Sequence, residues 1–371
     1  MERKNLNRCQ VLMRYFLIKN CKIANRQETN LDILIAKNKI IAIGNGIARP
    51  SVDTNIFDAQ GYLVTPGFID ICSPFLSLNN TEEIRRLIHD DVAGGYTTWI
   101  GFESATKMTQ TLSRLGKQEL RTLNYSLHFD ADQFKHGDLN KMKSLSATYG
   151  LPSMRYTISD LQTAQNDRID LYLATAAKNK MLLIFSLSHN GNIAEIPSAL
   201  ELICKKINNT KCKTLFANVR YVEEIEMINR LRTDNDTYAQ ICLAPHIHPI
   251  GNLNPIDDRL MGTMLRENKW ICADIIIPDM PAPQRIAQSF DICKKYNITE
   301  EEITEYMTTR KCRIVGLTPE KGQIIVGGDA DICIIKNGKI RAVVQNGKLT
   351  YDNGIIHENI SGLQAFRRII N

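Results

Sequence analysis

The stretch Val64-Thr65-Pro66-Gly67-Phe68-Ile69-Asp70 lies where two hydrophobic patterns meet. Before it, residues 15–65 contain short strand-like runs. After it, residues 66–319 alternate short apolar runs with longer amphipathic segments. Strands that alternate with helices are typical of a parallel sheet, because each crossover connection carries a helix. The stretch therefore predicts the first strand of an α/β domain.

Eight apolar runs in the second region have the length and composition of buried strands. Helix candidates between them include Thr81–Ala93, Leu161–Lys180, Ile196–Ile207 and Val222–Leu231. Eight such units predict a closed (β/α)8 TIM-type barrel, with a doubly wound open sheet as the structural rival. The predicted strands are Gly67–Ile71, Thr97–Gly101, Tyr125–Phe129, Met154–Ile158, Leu182–Leu187, Thr214–Asn218, Gln240–Ala244 and Ile271–Ile277.

Both chain ends contain short strand-like runs. Asn337-Gly338 and Asn346-Gly347 separate the last three runs, and such pairs favour hairpins because both residues tolerate positive φ. We therefore expect antiparallel β-structure at both ends and a small β-sandwich domain of residues 1–65 and 320–371 around a barrel of residues 66–319. The predicted strands here are Tyr15–Ile18, Leu31–Ile35, Ile40–Ile43, Tyr62–Val64, Ile324–Val326, Asp331–Ile335, Ile340–Val344 and Leu349–Tyr351.

Composition excludes several classes of protein. The chain has 371 residues, 43% of them hydrophobic, and a net charge of +6 that is scattered along the sequence, so we expect no nucleic-acid partner. No stretch reaches the ~20 apolar residues that span a bilayer, so we also expect no membrane contact. Several of the ten cysteines lie in apolar runs and none forms a Cys-x-x-Cys motif, which favours buried thiols in a reducing, cytoplasmic compartment.

The run from Val64 to Asp70 resembles the amidohydrolase superfamily, and in detail its dihydroorotase branch. Three other segments are similar to the same family: Ala93–Thr98 to the joint before the second strand, Arg313–Leu317 to the last barrel helix, and Lys321–Ile332 to the return into the β domain. The resemblance covers nearly the whole chain after about residue 15. It implies a zinc site at the mouth of the barrel, where a metal-bound hydroxide opens a cyclic amide.

The family's metal ligands do not match this sequence. Its Asp-x-His-x-His pattern reads Asp70-Ile71-Cys72-Ser73-Pro74 here, and Arg155 stands in place of the carbamylated lysine of strand four. The histidines that should end strands five and six align with Ser186 and Asn218. An arginine remains protonated and does not normally form a carbamate. The former ligand positions are therefore Cys72, Pro74, Arg155, Ser186 and Asn218.

The family's other functional positions are also altered or ambiguous. Its catalytic aspartate of strand eight aligns with Asp279, and Asp274 is the competing alignment. The arginine that grips the substrate aligns near Leu76, and the segment from Gly101 to Ser104 lacks the family's asparagine.

We expect the old pocket to contain Asp70, Ser104, Arg155, His189, His246 and His248. His246-Ile247-His248 is either a loop pair bonded to backbone or a relocated metal site. Cys72 is either a buried thiol or a nucleophile. Arg155 either pairs with Asp70 or the strand-eight aspartate, which we favour, or binds an anion.

These observations favour a catalytically inactive dihydroorotase-like protein with no cofactor and no metal. The resemblance implies a structural or regulatory role in pyrimidine biosynthesis, with aspartate carbamoyltransferase, an active dihydroorotase or a second copy of the chain as partner. The alternatives are a divergent cyclic amidohydrolase that holds zinc on His246, His248, His189 or Cys72, and a small-anion binding module. The final segment, Gly362 to Asn371, predicts a docking helix.

Overall fold

The computed structural model describes residues 14–73, 80–117, 123–135, 138–151, 153–232, 236–243, 249–250, 252–275, 280–295, 297–357 and 361–366. Within them, eight parallel strands pair in chain order and form the predicted TIM-type barrel. Their positions match the predicted runs to within a few residues. The strands are β6 (Phe68–Ser73), β7 (Tyr96–Glu103), β8 (Asn124–Asp130), β9 (Ser153–Ile158), β10 (Leu182–Leu187), β11 (Thr214–Val219), β12 (Thr237–Leu243) and β13 (Ile271–Ile275).

Helices separate these strands, and two of them begin and end where the sequence predicts. The predicted helix Leu161–Lys180 is instead two helices, because Asn166 is non-helical and its side chain accepts the N–H of Arg168. The helices are α1 (Thr81–Ala93), α2 (Met108–Leu115), α3 (Asp138–Tyr149), α4 (Leu161–Gln165), α5 (Arg168–Lys178), α6 (Ile196–Thr210), α7 (Val222–Leu231), α8 (Asp258–Glu267), α9 (Ala282–Lys295), α10 (Glu300–Thr304) and α11 (Arg310–Val315).

Strands from both chain ends form a second, nine-stranded sheet. Its two halves face each other across a core that includes Ile18, Ile33, Ile332 and Ile334, as expected for a sandwich. The strands are β1 (Tyr15–Ile23), β2 (Leu31–Ala36), β3 (Lys39–Gly44), β4 (Asn55–Asp58), β5 (Leu63–Pro66), β14 (Ile332–Lys336), β15 (Lys339–Gln345), β16 (Lys348–Asp352) and β17 (Ile355–Ile356). The division of the chain at residues 65 and 320 stays a prediction.

Two predictions for the chain ends are wrong. The sheet is mixed rather than antiparallel, because β1 pairs in parallel with both β4 and β5. Ile324–Val326 is a loop and not a strand. This loop turns back onto the edge strand β3, where Gly327 N–H donates to the carbonyl of Ile40 at 2.8 Å.

Residues 362–366, the described part of the predicted C-terminal helix, are not helical, and residues 367–371 lie outside the described residues. The described segment lies beside the start of β8: Tyr125 N–H donates to Leu363 O at 3.0 Å, and Ala365 N–H donates to Tyr125 O at 2.7 Å. The Gln364 side chain also donates to Tyr149 O. The segment therefore extends the sheet at the amino-terminal end of the barrel, opposite the end where such barrels carry their chemistry.

Among the described helices, none combines the length and apolar character needed to cross a membrane. Eight described cysteines are free thiols, and all of them except the half-buried Cys72 are buried, as predicted from their apolar surroundings.

Candidate functional site

A cavity of about 500 Å³ lies at the carboxyl ends of the barrel strands. A cavity of this size accommodates a small metabolite. Every barrel strand contributes to it; the side chains, one taken from each strand, are Cys72, Phe102, Asp130, Arg155, Ser186, Asn218, Gln240 and Asp274.

The structure brings six of the eight described site residues together. Asp70, Cys72, Arg155, Ser186, Asn218 and Asp274 all line the cavity. Two other predicted pocket residues, Ser104 and His189, do not line the cavity. The predicted positions Pro74, His246, His248 and Asp279 lie outside the described residues.

A buried lysine neutralises the strand-eight aspartate Asp274. Lys311, from α11, is fully buried and donates to Asp274 Oδ2 at 2.7 Å and to Ile69 O at 3.0 Å. Burial lowers the pKa of Lys311, but the charge of Asp274, its hydrogen bond and the neighbouring Cys272 and Asp70 together outweigh this and raise the pKa above its ordinary value. Gln240 Nε2 also donates to Asp274 Oδ2 at 3.1 Å. The carboxylate is therefore held by an ammonium and an amide.

Among the described residues Arg155 forms no ion pair with Asp70 or Asp274, whereas Asp279, the other candidate for the strand-eight aspartate, lies outside them. Arg155 Nη1 lies 3.5 Å from Asp130 Oδ1 and 3.7 Å from Asp132 Oδ2. Asp130 ends the neighbouring strand β8, so its carboxylate lies closest to an arginine on β9. The guanidinium also stacks over Phe102, 4.5 Å from the ring centroid.

Cys72 is poorly suited to attack a carbonyl. Burial, and next the charge of Asp70, raise the pKa of its thiol well above the ordinary value. Because the thiolate is the nucleophile, a thiol that stays protonated at neutral pH is unreactive towards a carbonyl. Asp70 is also perturbed: burial, and then the charge of Asp274, raise its pKa to about 6.

Asn218 and Arg220 form a hydrogen-bonded unit at the end of β11. Asn218 has φ of +65°, a left-handed conformation that asparagine tolerates better than most residues. Its Nδ2 donates to Leu187 O at 2.6 Å, and its Oδ1 accepts from Arg220 Nε at 2.8 Å. Arg220 lines the cavity.

His189 and Ser104 have structural partners. His189 Nε2 lies 2.8 Å from Oε1 of the fully buried Glu224. The other Glu224 oxygen accepts the N–H groups of Arg220 and Tyr221 before α7, so this pair holds the start of that helix. The Ser104 hydroxyl lies 3.2 Å from Glu103 Oε1.

The sequence analysis missed three groups in or beside the site. Lys311 carried no distinct signal, because it is one of three basic residues in α11, beside Arg310 and Arg313. The only signal for Arg220 was its position two residues after Asn218, which was predicted to end a strand. His128 lay unremarked inside a predicted strand. It contacts Ser153 Oγ and donates from Nε2 to Ile71 O at 2.8 Å, and burial lowers its pKa to about 4, so the ring is neutral.

The described residues do not fit a zinc ion. Zinc sites use thiolate, neutral imidazole or carboxylate ligands, usually four in total with water. The described part of the chain contains no cluster of three or more His, Cys, Asp or Glu side chains suited to a metal. The described positions that we predicted as former ligand positions present a thiol, an acid-paired guanidinium, a hydroxyl and an amide.

An eight-stranded barrel with a β domain from both chain ends is the architecture of hydantoinases and dihydropyrimidinases. The D-hydantoinase of Thermus sp. superposes with a TM-score of 0.77, at 16% identity, over 95% of this chain and 99% of that chain. The dihydropyrimidinase of Brevibacillus agri superposes with a TM-score of 0.75, also at 16% identity, over 95% of this chain and all of that one.

Sequence similarity points to another member of the same superfamily. A dihydroorotase of Citrifermentans bemidjiense is 37% identical over 73 residues, 19% of this chain and 17% of that protein. A dihydroorotase of Sulfurihydrogenibium sp. is 39% identical over 87 residues, 22% of this chain and 20% of that protein. The chain thus matches about a fifth of the length of these curated relatives. No protein-family model matches it.

These comparisons confirm the predicted resemblance to the amidohydrolase superfamily and its dihydroorotase branch. The fold is similar to those of solved hydantoinases and dihydropyrimidinases, and the local sequence similarity is to dihydroorotases.

Proposed function

We propose that this chain is a dihydroorotase-like protein that has lost cyclic amide hydrolysis and acts as a structural or regulatory partner in pyrimidine biosynthesis. The proposal rests on one ion pair: the Lys311 ammonium donates to Asp274 Oδ2 at 2.7 Å. In the family the strand-eight aspartate is catalytic. Here, a carboxylate from that strand is already bound to a permanent cation inside the barrel.

The other former ligand positions support the same proposal. Arg155 adds a second fixed positive charge where the resemblance implies metal cations. Cys72 carries a protonated thiol, and the Asn218 amide is committed to Leu187 O and Arg220. Hydrolysis of an amide at neutral pH needs an activated water, and metal coordination supplies one by lowering the pKa of that water. The described site offers no comparable arrangement.

The first experiment measures zinc content and turnover together. The full chain is purified without chelator, incubated with zinc and dialysed, beside the Citrifermentans bemidjiense dihydroorotase as a positive control. We expect less than about a tenth of an equivalent of zinc per chain and no hydrolysis of dihydroorotate. About one equivalent of zinc with turnover would overturn the proposal. If His246→Ala then abolished both, the relocated-metal alternative would replace it.

The partner role needs a separate experiment. The chain is mixed with the aspartate carbamoyltransferase of its own source organism, and the mass of the species is measured by size-exclusion chromatography with light scattering. We expect a complex larger than either protein alone. Two unchanged species would contradict the role with this partner. The chain alone, run at the same concentration, shows whether it forms a homo-oligomer.

A further inference from the structure

The positive charges around the cavity differ in whether a carboxylate neutralises them. Lys311 is paired with Asp274, at 2.7 Å. The two other lining arginines are paired as well: Arg155 with Asp130 and Asp132, and Arg285 with Asp91 at 3.3 Å. Arg220 is the exception among the described lining cations, since no described carboxylate forms an ion pair with its guanidinium.

The Arg220 guanidinium is oriented although it is not neutralised. Its Nε donates to Asn218 Oδ1 at 2.8 Å, and its backbone N–H donates to Glu224 Oε2 at 2.8 Å. Both terminal nitrogens remain without a partner in the described part of the chain. A guanidinium that is fixed through Nε still has donors at Nη1 and Nη2, which suit the two oxygens of a carboxylate or phosphate.

The surroundings of Arg220 suit an organic anion. The Ser186 hydroxyl lines the same cavity and has no partner among the described residues. Ser186 of β10 pairs with Ala217 of β11, and Ala217 immediately precedes Asn218 in the chain. The lining side chains of Phe102, Ala217 and Cys242 supply apolar surface within the about 500 Å³ of space. A pocket with a few polar groups on an apolar wall is typical of small-molecule sites.

We propose that Arg220, held by Asn218 and assisted by the Ser186 hydroxyl, binds the oxyanion of a small organic molecule in the old active-site cavity. The ligand class is a metabolite-sized carboxylate or phosphate. Arg155 was a possible anion-binding residue from the sequence alone. It is a weaker candidate than Arg220 for this role because two aspartates, Asp130 and Asp132, already lie beside its guanidinium. The inference goes beyond the proposed partner role and does not depend on it, since binding needs neither zinc nor hydrolysis.

The test uses the full chain with defined probes: benzoate, inorganic phosphate and benzamide, which shares the ring of benzoate but carries no charge. Thermal shifts and titration calorimetry are measured at constant ionic strength up to about 20 mM probe, which detects millimolar affinity. We expect benzoate, phosphate or both to bind and benzamide not to bind. Benzoate alone would assign a carboxylate ligand, and phosphate alone a phosphorylated one.

Three variants locate the anion. Arg220→Gln is expected to weaken binding about tenfold or more, because it removes two charge-assisted donors. Arg230→Gln makes the same charge change at an exposed position of α7 and should bind like the original chain. Arg155→Gln tests the competing arginine of the same cavity and should weaken binding less than Arg220→Gln does. If Arg220→Gln does not fold, Arg220→Lys serves instead, with weaker binding expected because the planar fork is lost.

Several results would overturn the proposal. These are binding that Arg220→Gln leaves unchanged, loss of binding in Arg155→Gln alone, equal binding of benzamide and benzoate, and the absence of binding of both anions. None of them alters the zinc and turnover test, so a failure here is distinguishable from a failure of the proposed function.

Discussion

Lys311 connects the first and last strands of the barrel. It lies on α11 and donates to Ile69 O of β6 and to Asp274 of β13. A fully buried ammonium loses its hydration, so the cost of burial must be offset by the carboxylate and the carbonyl. This one side chain thus both neutralises Asp274 and helps to join the two strands.

At this residue we predict a large loss of stability in Lys311→Met, which removes the ammonium but keeps much of the side-chain volume. The variant breaks a buried ion pair by removing one of its two charges, and such losses cost about 3–5 kcal/mol. The free energy of unfolding, measured by urea denaturation, is expected to fall by that amount.

The double variant Lys311→Met/Asp274→Leu is the control, because it removes both charges. Replacing a whole buried ion pair by apolar groups is often neutral, so it should recover most of the loss. A single variant as stable as the original chain would show that the ion pair contributes little.

At the scale of elements, the Asn-Gly turns determine how the C-terminal strands pair. Asn346 and Gly347 have φ of +50° and +74°, as a two-residue hairpin between β15 and β16 requires. Gly347 also packs tightly: an added Cβ would overlap the backbone carbonyl oxygen of Lys37. Gly354, in the turn between β16 and β17, has φ of +92° but nothing within 4 Å of an added Cβ.

These two glycines provide a matched pair. Gly354→Ala is expected to cost about 1–2 kcal/mol, from the left-handed backbone alone. Gly347→Ala should cost about 1–3 kcal/mol more, because the Lys37 backbone must move. Thermal and urea unfolding measure both. Equal losses would mean that the steric contact adds nothing to the conformational effect.

At the scale of the whole molecule, Asp331 joins the β domain to the barrel. Its carboxylate accepts from Asn124 Nδ2 on β8 at 3.0 Å and from Asn346 N–H at 2.9 Å, and it forms an ion pair with the buried Lys321. The cluster of apolar residues around the barrel continues into β14 and β15 through Cys333 and Val343. We therefore expect the two units to unfold together.

Asp331→Ala tests this coupling. It removes three polar contacts and leaves Lys321 with Asp329 alone, so we expect a loss of about 3 kcal/mol in one cooperative transition. Hydrogen exchange should increase at both β8 and β14. The control Glu82→Ala removes an exposed ion pair with Arg85, for which about 0–1 kcal/mol is expected. A second calorimetric transition would show that the two units are not coupled.

The barrel and both hairpin turns were predictable because their signals are local. Alternating apolar runs and amphipathic helices located β6 to β13, and paired Asn-Gly residues located the turns after β14 and β15. The break before Arg168 and the loop at Ile324–Val326 were missed. In each case a tertiary or side-chain contact outweighs local propensity.

The sequence by itself determined the fold class and the set of strand-end residues. The spacing of apolar residues locates the strands, and parallel strands in chain order have their carboxyl ends at the same end of the barrel. It also led to the prediction, which stays a prediction, that Cys72, Arg155, Ser186 and Asn218 occupy the family's ligand positions. Only the tertiary structure decided their partners: Arg155 with Asp130 and Asp132, Asp274 with Lys311, and Arg220 with Asn218. Ion pairs form over a few ångströms between side chains far apart in the chain, and linear spacing does not encode that proximity.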